Sequence, residues 1–270
     1  MDASATGPSA ITGLVRPSSI IVTTCFALAV AMAIFVTTRR AQLVRQRRAI
    51  RWPQTGSTVV QPQRPDSYYL FVLGSGGHTK EMLMMMDDGF CDFVGFHRRY
   101  LLSSGDRVSR HQLEDYETRL ASLCRAAGTS PGTYDARTVA RARRVHQSLL
   151  TTPLTALASV IGIFTVLLSP PARARRLRYP MLVFSNGPAT GFCVAFAIHL
   201  LKVFCVVPED VMRFVYIESW ARISTLSLTG RLLLRSGFAD ALYVQHQELA
   251  AKYGLPCAGE MVLGSRRPDE

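Results

Sequence analysis

"YYLFVLGSGGHTKEMLMMM", Tyr68 to Met86, passes from a run of bulky apolar residues through a glycine-rich bend into a helix-like stretch. An apolar run without alternation is how a strand buried on both faces reads, and a parallel sheet covered by helices requires such strands. In an open parallel sheet, ligands bind where the carboxyl ends of strands meet the amino ends of helices. Gly74, Gly76 and Gly77 let the backbone come close to an anion there, and the N–H groups of the first helical turn supply donors and a partial positive charge. The bend lacks the dinucleotide fingerprint G-x-G-x-x-G, because Thr79 stands three residues after Gly76, and no Gly-Lys-Ser/Thr makes it a P-loop. NAD and ATP both lose ground. Two readings remain open on these residues alone. One is a phosphate cradle; the other is a tight turn capped by Ser75 or Thr79, with His78 a hydrogen-bonding residue at the helix start.

Outward from this stretch, strand-like and helix-like segments alternate. Candidate strands are Tyr69–Leu73, Arg99–Ser103, Met181–Phe184, Val203–Val207, Phe214–Ile217 and Ala241–Val244. Helical patterns cover His78–Met86, Gln112–Cys124, Gly191–Leu201, Leu226–Leu233 and Gln247–Tyr253. Repeated strand, loop and helix predict an α/β fold, one doubly wound Rossmann-like domain on a largely parallel sheet. A second strand-to-helix loop, "VFSNGPATGFC", sets Asn186, Gly187, Pro188 and Thr190 at the bend; taken alone it also reads as an ordinary Asn-Gly-Pro turn. A third, "FVYIESWARISTLSLTGRLL", puts Glu218 just past a strand, with Ser219, Trp220 and Arg222 around it. A carboxylate so placed accepts a hydroxyl proton or hydrogen-bonds a sugar. The plainer reading is an ion pair with Arg222 and packing by Trp220, and the residues alone favour it. Asp106, in "LLSSGDRVS", is by default an exposed loop aspartate.

The chain carries a net charge of +12, and all but three of its 31 basic residues are arginine. Half of these arginines cluster at Arg39–Arg51, Arg137–Arg144 and Arg173–Arg178, each group beside an apolar stretch. That placement suits an anionic membrane surface. A nucleic-acid domain would interleave its arginines with aromatics or set them on one recognition helix, and neither pattern is present. Pro17 to Thr38 is free of charge and long enough to cross ~30 Å of hydrocarbon. With the basic flank behind it, the positive-inside rule puts residues 1–18 outside, 19–38 in the membrane and the rest in the cytosol. Residues 39–66 read as a basic juxtamembrane segment and linker. A second apolar run, 149–169, is predicted to lie along the membrane rather than to cross it, which keeps the glycine loop and the Asn186 loop on one side. The six cysteines form no C-x-x-C pair, so neither a disulfide framework nor a zinc site is expected.

In combination, "LGSGGHTKEM", "SNGPATG", "YIESWARISTLSLTGRLL" and "FADALYVQHQELAAKYG" resemble one family. It is the membrane-anchor subunit of the UDP-N-acetylglucosamine transferase that adds the second sugar in asparagine-linked glycosylation at the endoplasmic reticulum. The resemblance covers residues 67–263. It implies the N-terminal, acceptor-side half of a GT-B glycosyltransferase, similar to the bacterial enzyme that glycosylates lipid I. It also implies a separate cytosolic catalytic partner holding most of the UDP-GlcNAc site, and together the two transfer GlcNAc in β1,4 linkage to GlcNAc-diphosphodolichol. The resemblance further implies that Gly74, Ser75, Gly76, Gly77 and Thr79 hold the acceptor diphosphate. Asn186, Gly187, Pro188, Thr190, Ser219 and Arg222 would line the cleft, and His78, Asp106 or Glu218 would serve as general base. Gln245, Leu249, Tyr253, Met261, Val262 and Leu263 would dock the partner, with 264–270 an additional tail. No cofactor and no metal are implied. The implied location is the endoplasmic reticulum membrane and the contiguous nuclear envelope, with the soluble domain in the cytosol. The alternative is a scaffold that tethers the partner and carries a vestigial cleft. A self-sufficient oxidoreductase would need the dinucleotide fingerprint that is missing here.

Overall fold

A computed structural model describes residues 17–49, 67–87, 92–142, 152–172 and 177–259. The chain divides into two compact units, Met1–Gln42 and Leu43–Glu270. The first contains most of α1 (Pro17–Ala49), whose apolar side chains stand exposed, Phe26 at 70 %. From Ile21 the helix is long enough to span a bilayer, its most apolar 18 residues have a mean hydropathy of 2.2, and it is a candidate membrane span. It outruns the expected 19–38 segment, because Arg39 to Ala49 continue the helix. The expected linker after residue 49 lies outside the described residues, as does the segment before Pro17.

The second unit holds, in chain order, β1 (Tyr68–Val72), α2 (Gly77–Met86), β2 (His97–Ser103), α3 (Arg107–Ala126), β3 (Thr133–Val139), α4 (Thr152–Leu168), β4 (Leu182–Ser185), α5 (Thr190–Val203), β5 (Arg213–Ile217), α6 (Leu228–Ser236), β6 (Ala241–Tyr243) and α7 (Gln247–Tyr253). All six strands are parallel, in the order β3-β2-β1-β4-β5-β6. This is the Rossmann-like order, and it reverses between β1 and β4. Every residue of β1 is buried, as its unbroken apolar run requires. Leu70, Val72 and Phe214 face α4, α5, α6 and α7 through Ile163, Ile198, Leu233 and Leu249. On the opposite side Tyr69, Phe71 and Phe184 pack against Met82 and Met85 of α2 and Leu113 and Leu120 of α3. Each such side chain, fully buried, contributes roughly 1.5–3 kcal/mol.

One expected strand is absent and one strand was not expected. Val203–Val207 is not a strand: α5 runs to Val203 and a turn follows, with Cys205 at φ 56°. The α5 helix is buried nearly all round, so its apolar run carries no periodicity to separate helix from strand. The strand that was missed is β3, whose "TYDARTV" is polar and half exposed because it is the sheet's edge.

What makes β3 a strand is its bond to β2. Arg99 of β2 is fully buried and grips Asp135 of β3 through two hydrogen bonds of 2.9 and 2.8 Å. Its remaining N–H groups donate to the carbonyls of Val166 and Ser169, at 3.0 and 2.7 Å, and so cap the carboxyl end of α4. Next in sequence, Arg98 points to the other face and makes a bidentate pair with Glu117 of α3, at 2.9 and 2.7 Å. Two consecutive arginines therefore fasten a helix to each side of the sheet. Arg47, at the end of α1 within this unit, is another structural arginine: it is buried, donates to Gly237 O at 2.6 Å and pairs with Asp240 at 3.3 Å. The α4 helix buries Val160, Ile163 and Leu167 and leaves Leu154, Leu157, Ile161 and Leu168 exposed along one stripe.

Burial opposes the charge of Asp135, but His97 and Arg99 outweigh it and hold the carboxyl well below its ordinary range. Its stabilising contribution is therefore complete above the unfolded carboxylate pKa of ~3.9 and is lost as pH falls through the lower folded value. We expect Asp135→Asn to cost about 2 kcal/mol at neutral pH, with the difference from the parent shrinking in acid. Thermal unfolding of the purified chain should show a melting point lower by about 4–8 °C.

Candidate functional site

The reversal between β1 and β4 brings two strand-to-helix loops side by side. A methyl group on Gly187 would stand 2.9 Å from the Cα of Gly74, and one on Gly74 would stand 3.2 Å from the Cα of Gly187. The loops pack backbone to backbone, with no room for a side chain in either. Gly76 takes φ 57°, a conformation natural to glycine, and turns the chain into α2. In the neighbouring loop Ala189 is held at φ 51° and ψ −66°, and Thr190 N donates to Pro188 O at 2.6 Å, which makes a tight γ-turn. Strain of this kind persists where surrounding structure fixes it, and such places concentrate at ligand sites.

Thr79 does not face the bend's mouth. It is fully buried, and its hydroxyl lies within hydrogen-bond reach of Gly74 O, at 2.5 Å, and of the Ser109 hydroxyl, at 2.7 Å. Ser109 in turn donates to Gly74 O at 3.1 Å and accepts from Gly76 N at 3.3 Å. Threonine and serine thus brace the glycine loop from behind; Gly76 N is spent on Ser109 and His78 N on Ser75 O, at 3.3 Å, which leaves the Gly77 N–H at the amino end of α2 to face an anion.

The centre of the arrangement is Glu81, one turn into α2, which the sequence reading passed over. Its carboxylate accepts from Ser219 Oγ at 3.0 Å, Gln245 Nε2 at 3.0 Å, Asn186 Nδ2 at 3.3 Å and the Trp220 amide. His78 Nδ1 lies 3.6 Å away. Burial works against the charge, but the neighbouring His78 ring and the bonds from Trp220, Ser219 and Gln245 prevail and lower the pKa, so Glu81 is ionised. Asn186 also donates to His78 O at 2.9 Å, tying the two loops together. In front of this cluster lies a cavity of about 450 Å³, walled by α2 from Gly77 to Met84 and by Ser219 to Ala221.

The three proposed bases separate clearly. His78 lines the cavity with its side chain 31 % exposed. Asp106 is the N-cap of α3, accepting from Ser109 N at 3.0 Å, with Arg141 at 3.8 Å. Glu218 is buried and accepts from Ser227 N and Ser227 Oγ, both at 3.0 Å, which fastens the start of α6 to the end of β5. Burial raises its pKa against the pull of those bonds. Arg222 closes a turn through its amide to Ser219 O at 2.9 Å and is exposed, as is Pro188, and neither lines the cavity. Of the residues expected to dock a partner, Gln245 is buried against Glu81, Leu249 belongs to the core and Tyr253 is half-buried. Met261, Val262 and Leu263 lie outside the described residues.

A six-stranded parallel sheet with its cleft at the switch point, preceded by a candidate membrane span, defines a Rossmann-like α/β protein with a candidate membrane anchor. The model of the family described as "Oligosaccharide biosynthesis protein Alg14 like" matches residues 69–257, and the chain belongs to that family. It is similar to proteins named UDP-N-acetylglucosamine transferase subunit alg14. That of Aspergillus fumigatus is 34 % identical over 197 aligned positions, covering 58 % of this chain and 86 % of the relative. That of Debaryomyces hansenii is 32 % identical, covering 74 % and 78 %, and that of Schizosaccharomyces pombe 33 %, covering 71 % and 81 %. No solved structure matches significantly.

The close approach of the two glycine loops has a direct test. Gly187→Ala should destabilise the chain by about 1–3 kcal/mol, because the methyl group has only backbone to push against. Gly77→Ala, whose methyl group meets open space, should leave the melting temperature within a degree or two of the parent.

Proposed function

We propose that the chain is the acceptor-binding subunit of a bipartite UDP-N-acetylglucosamine transferase, making GlcNAc2-diphosphodolichol from GlcNAc-diphosphodolichol. The observation that carries this reading is the switch-point cleft, where backbone-packed glycine loops present the amino end of α2 beside a cavity lined by a histidine. Backbone N–H groups at a helix start suit a diphosphate. The names of the relatives supply the sugar nucleotide and the word subunit, and a single Rossmann-like sheet makes a GT-B active site only against a second one.

In this reading the acceptor's diphosphate rests on the loop from Gly74 to Gly77, with its sugar in the cavity. His78 is the base, kept in orientation by the ionised Glu81. It takes the proton of the acceptor's 4-hydroxyl as that oxygen bonds to the anomeric carbon of UDP-GlcNAc; the bond to the UDP oxygen breaks and UDP leaves. Asp106 and Glu218 hold loops in place. The catalytic partner binds the donor and docks on the segment from α7 onward, where Gln247, Glu248 and Lys252 are exposed. The soluble unit faces the cytosol at the endoplasmic reticulum membrane and contiguous nuclear envelope. The exposed stripe of α4, flanked in sequence by arginines, lies on the bilayer and lowers the cleft toward a lipid headgroup.

Coexpression of the chain with its cytosolic partner in membranes tests this. Transfer from UDP-GlcNAc to a GlcNAc-diphospholipid is expected from the pair and from neither protein alone. His78→Ala should lower kcat of the pair by about 10²–10⁴ without releasing the partner. Gly76→Trp should abolish transfer with the partner still bound; full activity in that variant would mean that the chain only tethers.

A further inference from the structure

Trp220 stands on the rim of the cavity under an uncommon degree of control for a loop residue. Its amide donates to Glu81, and its carbonyl accepts from His246 Nε2 at 2.6 Å. The His246 ring lies 5.8 Å from the indole at an angle of 41°. The residue before it, Ser219, is buried and bonded to the same carboxylate. The backbone is thus clamped from both sides, while the indole remains 37 % exposed and forms part of the cavity wall. A large apolar ring held rigidly at the mouth of a cavity offers contact area at little cost in conformational freedom.

The cavity's chemistry selects what would lie on that ring. Its wall mixes apolar groups, Met84, Ala221 and the indole, with polar ones, His78, Lys80, Glu81 and Ser219. A pyranose offers the same mixture, with C–H groups on its faces and hydroxyls around its edge. An aromatic plane takes the faces, and a few convergent polar groups take the edge. The cavity also begins at Gly77 and His78, so a sugar there is joined without a gap to a diphosphate at the amino end of α2.

We propose that Trp220 is the platform on which the acceptor's first pyranose ring lies, and that Glu81 is the positioning residue that holds this platform against the glycine loop. This rests on the acceptor-binding reading above. Every group bonded to the Glu81 carboxylate is a donor, so only an acceptor with lone pairs on both oxygens serves all of them. A glutamine would turn an NH₂ group toward donors and free the loop.

The chain has two tryptophans, so Trp52→Phe leaves Trp220 as the only indole reporter. The full-length Trp52→Phe protein in detergent is titrated with GlcNAc-diphosphofarnesol, with farnesyl diphosphate and with UDP. The sugar-bearing lipid is expected to change Trp220 emission saturably, and farnesyl diphosphate to bind with little change. By calorimetry, Trp220→Ala should bind GlcNAc-diphosphofarnesol about tenfold weaker or more, with farnesyl diphosphate unaffected, and Trp220→Phe should restore most of the difference. Glu81→Gln should lose the same sugar-dependent increment. Trp220 is exposed at the rim, so its variants carry the test even if Glu81→Gln fails to fold. Equal affinity of Trp220→Ala and parent for the sugar-bearing lipid would overturn the platform and leave the acceptor site standing. An emission change with UDP alone would assign the ring to a nucleobase and overturn it too. If neither lipid binds and the assembled pair is inactive, the acceptor-binding reading itself falls, and the platform with it.

Discussion

One buried carboxylate organises the cleft. Glu81 sits on α2, yet its partners come from the β4–α5 loop, the β5–α6 loop and the residues just after β6. A carboxylate leaves water only when its lone pairs are met by donors, and here Ser219, Gln245, Asn186 and the Trp220 amide meet them. The constraint is mutual. The anion needs those donors to stay buried, and the loops that supply them have no common sequence neighbourhood to hold them together. Four elements separated by up to 164 positions in the chain thereby keep one geometry.

That centre has force only because the sheet beneath it is fixed. The reversal of strand order between β1 and β4 brings Gly74 against Gly187, and the absence of side chains there lets the two loops share one mouth. Farther out, Arg98 and Arg99 bind α3 and α4 to opposite faces of β2. Arginine suits this because its planar fork meets a carboxylate at two points and still has donors left for helix carbonyls. The rigid layer therefore holds the strained turn at Ala189 and the left-handed bend at Gly76, which are the parts that shape the cleft.

Much of this was legible in the sequence. The apolar runs of β1, β4, β5 and β6, the glycine bend and the helix at Gln247–Tyr253 are all legible, the strands because each run is short and bounded by polar, glycine or proline residues. The resemblance of four motifs pointed to the family to which the chain belongs. What escaped was polar and buried. The expected strand Arg99–Ser103 starts two residues short of β2, because His97 and Arg98 are polar although buried, and β3 has no apolar alternation to betray it. Arg47 was counted with a membrane-facing cluster although it is a buried tether. Glu81 gives no sign of its role in the sequence, since the donors it collects lie more than a hundred residues away; its spacing of three from His78 is the one local clue. Thr79 and Gln245 were given to a ligand and to a partner, while their side chains are spent inside the fold. Periodicity reports which side chains avoid water and says nothing about which donors find which acceptors.

The central claim is that the amino end of α2 holds the diphosphate of a lipid-linked sugar. The most direct measurement is a structure of the membrane-bound chain assembled with its catalytic partner and soaked with GlcNAc-diphosphofarnesol. The account predicts phosphate density within hydrogen-bond distance of the backbone N–H groups of Ser75 and Gly77, with the sugar directed toward Trp220. Diphosphate density elsewhere on the sheet, or only on the partner, would contradict it.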